Sequence, residues 1–180
     1  PPTGALWVRD LHEEGIEPHP GPSFITKNIN GISDMARWDK ILHRLKNTKF
    51  ETPIKAIFLQ EHNLKIPAEA KKLAEEYGFH MFAVPLNSRT PKGGTTILIP
   101  KEQLETNPRE SHHEALARVK STIRALPDGR GIACDTLIHG HMRRIASVYA
   151  PADPALRVAF FTSLTNLIDS NTIMGIDANC

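Results

Sequence analysis

Six polar residues stand where apolar runs end. Asn28 and Asn30 close the β-rich stretch Ser23–Asn30, and Glu61 follows the run Ile54–Leu59. Tyr149 closes Arg144–Tyr149, while Asp177 and Asn179 follow Thr172–Ile176. Carboxylates, amides and a phenol delivered from the ends of separate strands are how a rigid sheet presents a site at one rim. Turns favour Asn and Asp as well, so the pattern alone leaves a plain turn reading open. Basic residues gather between 118 and 144, where Arg118, Lys120, Arg124, Arg130, Arg143 and Arg144 stand against Asp128 and Asp135. That stretch is compatible with a polyanionic ligand and equally with a solvated face.

The elements that must carry these residues follow from periodicity and punctuation. Residues 1–22 end in Pro18-His19-Pro20-Gly21-Pro22 and read as a linker. Ser33 is placed to cap a helix with Met35, Trp38, Ile41, Leu42 and Leu45 on one face. A buried strand is expected over Ile54–Leu59. Pro67 starts a second helix, with Ala70, Leu73, Ala74 and Tyr77 on its inner face, and Gly78 stops it. Strands are expected at Phe79–Val84 and at Thr95–Ile99, the latter preceded by Gly93-Gly94 and closed by Pro100. Residues 101–119 give no clear signal. Gly131–Ile138 and Arg144–Tyr149 form an expected hairpin around His139-Gly140-His141. Asp153-Pro154 opens a helix with Leu156, Phe160, Leu164, Leu167 and Ile168 along one side, and Thr172–Ile176 is the last strand. The order β-α-β-α-β-β-β-β-α-β is mixed α/β and fits two layers of sheet covered by helices.

Bulk properties exclude little. The chain has 180 residues, enough for one domain with a real core, and a formal net charge of +2, which points to no partner. Two cysteines build no disulfide framework or zinc pattern, so a reducing, intracellular setting is expected. Nine histidines are present, but His112-His113 and His139-Gly140-His141 have no cysteine or carboxylate at ligand spacing and read as loop residues. No apolar run approaches membrane-spanning length.

Four segments in order resemble the endonuclease/exonuclease/phosphatase superfamily: Asn28-Ile29-Asn30-Gly31, Leu59-Gln60-Glu61, Ser147-Val148-Tyr149-Ala150-Pro151 and Gly175-Ile176-Asp177-Ala178-Asn179. A fifth, Gly93-Gly94-Thr95-Thr96-Ile97-Leu98, fits the Gly-rich approach to a strand in AP-endonuclease-like members. The flavour is that of nuclease domains carried by LINE-type (non-LTR) retrotransposons, and the resemblance covers about residues 23–180. It implies a four-layer α/β sandwich of two packed mixed sheets with outer helices, and phosphodiester hydrolysis with Mg2+ or Mn2+. The implied substrate is DNA, nicked to start insertion, in the nucleus or cytoplasm, and the parent polyprotein would include a reverse transcriptase. Residue by residue, Glu61 matches the metal-binding glutamate, whose oxygen suits a hard cation. Asp177 matches the aspartate that orients or deprotonates water. Asn179 matches an asparagine that holds the phosphate or water, Asn28 one beside the metal, and Tyr149 a phosphate-contacting tyrosine. Asn30 stands at a metal-side position where repair enzymes carry aspartate. Arg118, Lys120, Arg143 and Arg144 are candidate phosphate contacts, giving affinity without sequence information.

The departures are also specific. His62 stands where relatives have threonine, and Ala152 where they have asparagine. The family ends with a further aspartate and a Ser-Asp-His segment, neither of which occurs before Cys180. The chain is therefore expected to be C-terminally incomplete, poorly soluble and nearly inactive. Two other readings stay open: the same fold acting on a lipid or inositol phosphate, and a decayed fragment with weak DNA binding. Gly15-Ile16-Glu17-Pro18-His19-Pro20-Gly21-Pro22 is similar to a degenerate ribosome-skipping peptide, an alternative to the plain linker.

Overall fold

From Ala56 to Gln60 every residue of the second strand is buried, which requires a layer on each face of its sheet. The computed structural model describes residues 23–32, 34–64, 68–84, 93–126 and 128–179; the expected tail 1–22 lies outside them. One sheet contains β1 (Ser23–Asn28), β2 (Ile54–Gln60), β3 (Phe79–Ala83) and β4 (Thr95–Pro100) in the order β1-β2-β4-β3. The other contains β5 (Arg124–Ala125), β6 (Gly131–Ile138), β7 (His141–Tyr149) and β8 (Thr172–Asp177) in that order. Each sheet is mixed, with β1/β2 and β7/β8 the parallel pairs. The helices are α1 (Met35–Asn47), α2 (Ala68–Glu76), α3 (His112–Ser121) and α4 (Pro154–Ser163).

Alternation along the strands sorts the side chains into layers. Phe24, Phe58, Ile97, Ile132 and Ile145 fill the space between the sheets. Ile57 and Leu59 point the other way, onto Trp38 and Leu42 of α1 and Ala70 and Ala74 of α2. Behind the second sheet, Ala133, Ala146 and Val148 pack on Phe160 of α4 and on Leu164 and Leu167 beyond it. The result is helix, sheet, sheet, helix, with α3 contributing Ala115 and Val119 to the inter-sheet core. The sheets approach closely at Gly175, where an added Cβ would lie 2.5 Å from the Phe58 side chain.

The structure refines several expected boundaries. Helix α1 is capped by Asp34, whose carboxylate accepts from the Arg37 N–H at 2.7 Å; Ser33 and Pro67 lie outside the described residues. The unassigned stretch 101–119 contains α3, opened by a capping box in which Ser111 and Glu114 serve each other's backbone N–H. Its buried stripe is only Ala115 and Val119, too small to stand out as periodicity. Strand β7 begins at His141 rather than Arg144, because His139 and Gly140 take φ of +52° and +75° and close a two-residue turn. Leu156 is 55% exposed rather than part of the inner face; it lies in the first turn of α4, next to an exposed approach. A 3-10 turn at Leu164–Asn166 then breaks the helical phase.

At the opposite end of the sandwich from the C-termini of β2 and β8, Glu105 bridges the sheets. Its carboxylate accepts from the N–H groups of His139 and Gly140 at the hairpin tip, each at 2.9 Å, and pairs with Lys55 of β2 at 2.9 Å. Burial opposes ionisation, but the Gly140 N–H, Lys55 and the His139 N–H outweigh it and bring the carboxyl to about 2. A carboxyl depressed on folding stabilises the fold above its unfolded value of 4.5, and that contribution is lost as pH falls towards about 2. Glu105→Gln is expected to cost about 1–3 kcal/mol at neutral pH and to flatten the loss of stability between those two values. Denaturant melts across that pH range would show it, and parallel wild-type and variant curves would contradict it.

Candidate active site at the strand-end rim

Both parallel pairs end at one edge of the sandwich: Asn28 is in register with Gln60, and Tyr149 with Asp177. Approaching that edge, the inter-sheet space turns from apolar to polar. Buried Gln60 donates its amide to Thr26 at 3.1 Å, Ser147 at 3.2 Å and the Gly175 carbonyl at 3.4 Å. Ser147 in turn donates to the Leu59 carbonyl at 3.1 Å. One step further out, the Asn28 amide nitrogen donates to Glu61 Oε2 at 3.0 Å and to Asp177 Oδ2 at 2.6 Å. Glu61 and Asp177, from different sheets, thus sit on either side of a single nitrogen.

Each partner is held in turn. Asn28 Oδ1 accepts from the Asn30 N–H at 2.8 Å, while the Asn30 side chain itself is exposed at the rim. Asp177 Oδ1 accepts from the Asn179 N–H at 3.1 Å, and the Asn179 amide donates to the Ala150 carbonyl at 2.6 Å. Arg157 of α4 donates to the carbonyls of Pro151 and Ala152, both at 3.1 Å, and to that of Asn179. Tyr149 is buried beside this group. Burial raises its phenol pKa, the Asn179 amide and Arg130 oppose the rise, and the charges of Glu61 and Asp177 add to it.

The loops carrying these groups are strained and interlocked. Asn30, Glu61, Asn63 and Asn179 all have φ between +48° and +59°, a region costly for side-chain-bearing residues and common at functional sites. The strain is held by a backbone lattice: Gly31 N–H to Glu61 O at 2.5 Å, Ile32 N–H to His62 O at 2.8 Å and Asn63 N–H to Gly93 O at 2.9 Å. His62 lies beneath, fully buried. Its Nδ1 accepts from the Leu64 N–H at 2.9 Å, so the proton sits on Nε2 and goes to the Val84 carbonyl at 3.0 Å. Burial brings it down to about 4, so it is neutral and structural.

Four of the sequence candidates lie elsewhere. Arg143 and Arg144 are at the start of β7, five residues before Tyr149, or about 16 Å at the rise of a strand. Arg144 is held by Asp135 and Asp169, both at 2.8 Å, and Arg143 by Asn171 at 3.1 Å. Arg118 is paired with Glu110 at 2.9 Å and reaches the Glu105 carbonyl, towards the hairpin end. Lys120 is exposed at the end of α3, beside Met81 and Ala83. Two other basic residues reach the rim: Arg37, which donates to the Ile29 carbonyl at 2.7 Å, and Arg130, with its guanidinium carbon 5.2 Å from the Tyr149 ring centroid. Nothing in its Gly-Arg-Gly context separates it from the other cations of the stretch. Gln60 and Ser147 do lie within the resembling motifs, which carried no hint of their pairing.

Among the described residues no three His, Cys, Asp or Glu side chains gather as a metal cage. The donor set is two carboxylates with the Asn28 amide between them and the Asn30 backbone bonded to it; carboxylate oxygens suit a hard divalent cation that keeps several of its waters.

No family profile and no curated protein matches the chain. Solved structures do. The endonuclease domain of TRAS1, a telomere-specific non-LTR retrotransposon, has a TM-score of 0.53 at 10% identity, over 89% of this chain and 62% of that one. An AP endonuclease from Archaeoglobus fulgidus gives 0.53 at 14% identity, over 81% and 52%. TDP2 from Caenorhabditis elegans gives 0.54 at 17% identity, over 88% and 47%. At these identities the likeness establishes the fold alone, a sandwich of two mixed sheets with outer helices. The chain spans 62% of the TRAS1 domain and about half of the other two.

Gly94 has φ of +86°, and an added Cβ would lie 2.4–2.8 Å from the His62 ring. Gly94→Ala is therefore expected to lower stability by about 1–3 kcal/mol, because the His62 ring beside the Glu61 loop must move. Thermal melts measure it, and an unchanged melting temperature would refute the packing argument.

Proposed function

We propose that a chain with this fold and this rim is a divalent-metal-dependent phosphodiesterase acting on DNA, an endonuclease of the non-LTR retrotransposon kind whose nick starts insertion. The observation that carries the proposal is the Asn28 nitrogen shared by Glu61 and Asp177. Two acids from separate sheets are brought together at an open edge, beside a tyrosine and an asparagine, all at positions the motif resemblance assigns. The parent protein, on this reading, also carries a reverse transcriptase, and the enzyme works wherever it meets DNA in the nucleus or cytoplasm. No helix among the described residues is long and apolar enough to cross a membrane.

In the proposed reaction, water attacks phosphorus and the bond to the leaving sugar oxygen breaks. Asp177 takes the proton of the attacking water on a carboxylate oxygen, oriented by the Asn28 amide and the Asn179 N–H. Tyr149, whose raised pKa keeps it protonated, donates to a phosphate oxygen. Glu61 would hold Mg2+ or Mn2+, with Asn28 and Asn30 at its flank, and that ion supplies charge neutralisation for the phosphate and the departing oxyanion. Asn28 keeps the two carboxylates at a fixed separation throughout.

Two measurements test the assignment. Manganese titration followed by electron paramagnetic resonance should show one site in the full chain, weakened at least about tenfold in Glu61→Gln, whose carboxamide carries no charge. Nicking of supercoiled plasmid should require the metal and fall about 100-fold or more in Asp177→Asn. Cleavage that survives EDTA, or an Asp177→Asn variant as active as wild type, would remove the basis for the proposal.

A further inference from the structure

Between β5 and β6 the chain turns through Asp128, Gly129 and Arg130 and is pinned to the rim on both sides. Thr95 donates to the Gly129 carbonyl at 3.3 Å, and the Tyr149 N–H donates to the Arg130 carbonyl at 2.8 Å. The Arg130 guanidinium lies over the Tyr149 ring, at cation–π distance. Its Nε faces Asp128 at 3.5 Å, too long for a good hydrogen bond, and Asp128 is itself half exposed. Arg130 Nη1 is buried with no partner. A guanidinium N–H shut away from water without an acceptor is unfavourable, so the fold leaves this charge uncompensated, and the part of the side chain that stays exposed, 18% of it, is open to an anion at the rim. Arg118 also has an unpartnered Nη1, but its guanidinium is already engaged twice by Glu110. Arg130 has no such clamp, and it stands next to the candidate chemistry.

Position decides which phosphate it meets. Across the rim the order is Arg130 leading into β6, Tyr149 on β7 and Asp177 on β8. Two strand spacings, about 10 Å, separate Arg130 from Asp177, with Tyr149 between them. We infer that Arg130 binds the backbone phosphate next to the one being hydrolysed, with the Tyr149 ring holding its planar fork in place. The inference rests on the phosphodiesterase reading above and adds a requirement to it: the preferred substrate carries phosphates on both sides of a nucleoside. A planar, weakly hydrated guanidinium suits a phosphate better than an ammonium does.

The test uses the full chain and a fluorescein-labelled 20-base-pair duplex, with Ca2+ in place of Mg2+, read by anisotropy over a series of NaCl concentrations. Arg130→Gln should weaken binding about tenfold and reduce the magnitude of the salt slope by about one. Arg130→Lys should keep the wild-type slope and recover part of the affinity. Identical affinity and slope in Arg130→Gln would overturn the inference alone. So would an Arg130→Lys variant as weak as Arg130→Gln with a lowered melting temperature, which would make Arg130 a support for Tyr149. Failure of the wild-type chain to bind the duplex would instead overturn the nucleic-acid reading on which the inference stands.

Discussion

Two carboxylates of like charge resist being brought together, more so where burial lowers the local dielectric. Glu61 is 8% exposed and Asp177 only partly exposed, yet they share a donor. Their approach depends on the Asn28 amide between them, on the Asn179 N–H behind Asp177 and on the αL backbone that turns Glu61 inward. The rest of the molecule supplies what this needs: two rigid sheets whose adjacent strands end together. These contacts hold two acids from separate sheets at one edge of the sandwich.

The sheets meet that demand through a graded interior. Deep in the sandwich, Phe24, Phe58, Ile97 and Ile145 exclude water and set the spacing. Gly175 lets the second sheet close onto Phe58. Nearer the edge, Gln60, bonded to Thr26 of its own sheet, replaces the apolar contacts with hydrogen bonds to Ser147 and Gly175 that cross the gap. Because those bonds are directional where apolar packing is not, they fix the lateral register of one sheet against the other. Residues such as Gln60 are thus as much a part of the site as the acids they support.

Much of this was legible in the sequence, for physical reasons. Strand-end placement of Asn28, Glu61, Tyr149 and Asp177 followed from apolar runs that stop abruptly, and those runs with their Gly and Pro punctuation located most strands to within a residue or two. Helix α3 escaped because its buried stripe is only Ala115 and Val119, although Ser111 and Glu114 advertised its start. Leu156 misled because a 3.6-residue stripe was carried back into the first turn of α4, which is exposed, whereas the stripe is buried from Phe160 onward. The cations could not be placed from the sequence. Arg118, Arg143 and Arg144 look like phosphate ligands when counted along the chain, but each has a local partner, whereas Arg130 is distinguished by where β5 turns into β6. Charge runs record composition; only the pairing of strands decides which way they face.

Each half of the edge is stiff by its own means. On one side the loops after β1 and β2 are laced to Gly93 and Gly94 by backbone bonds; on the other, Arg157 gathers the carbonyls that follow β7 and β8. The Asn28 side chain spans the seam between these two blocks. The gap between the acids is therefore a gauge of how the sheets sit on one another. A shear of one block over its neighbour would register first in the two bonds of the Asn28 amide, before any strand came apart.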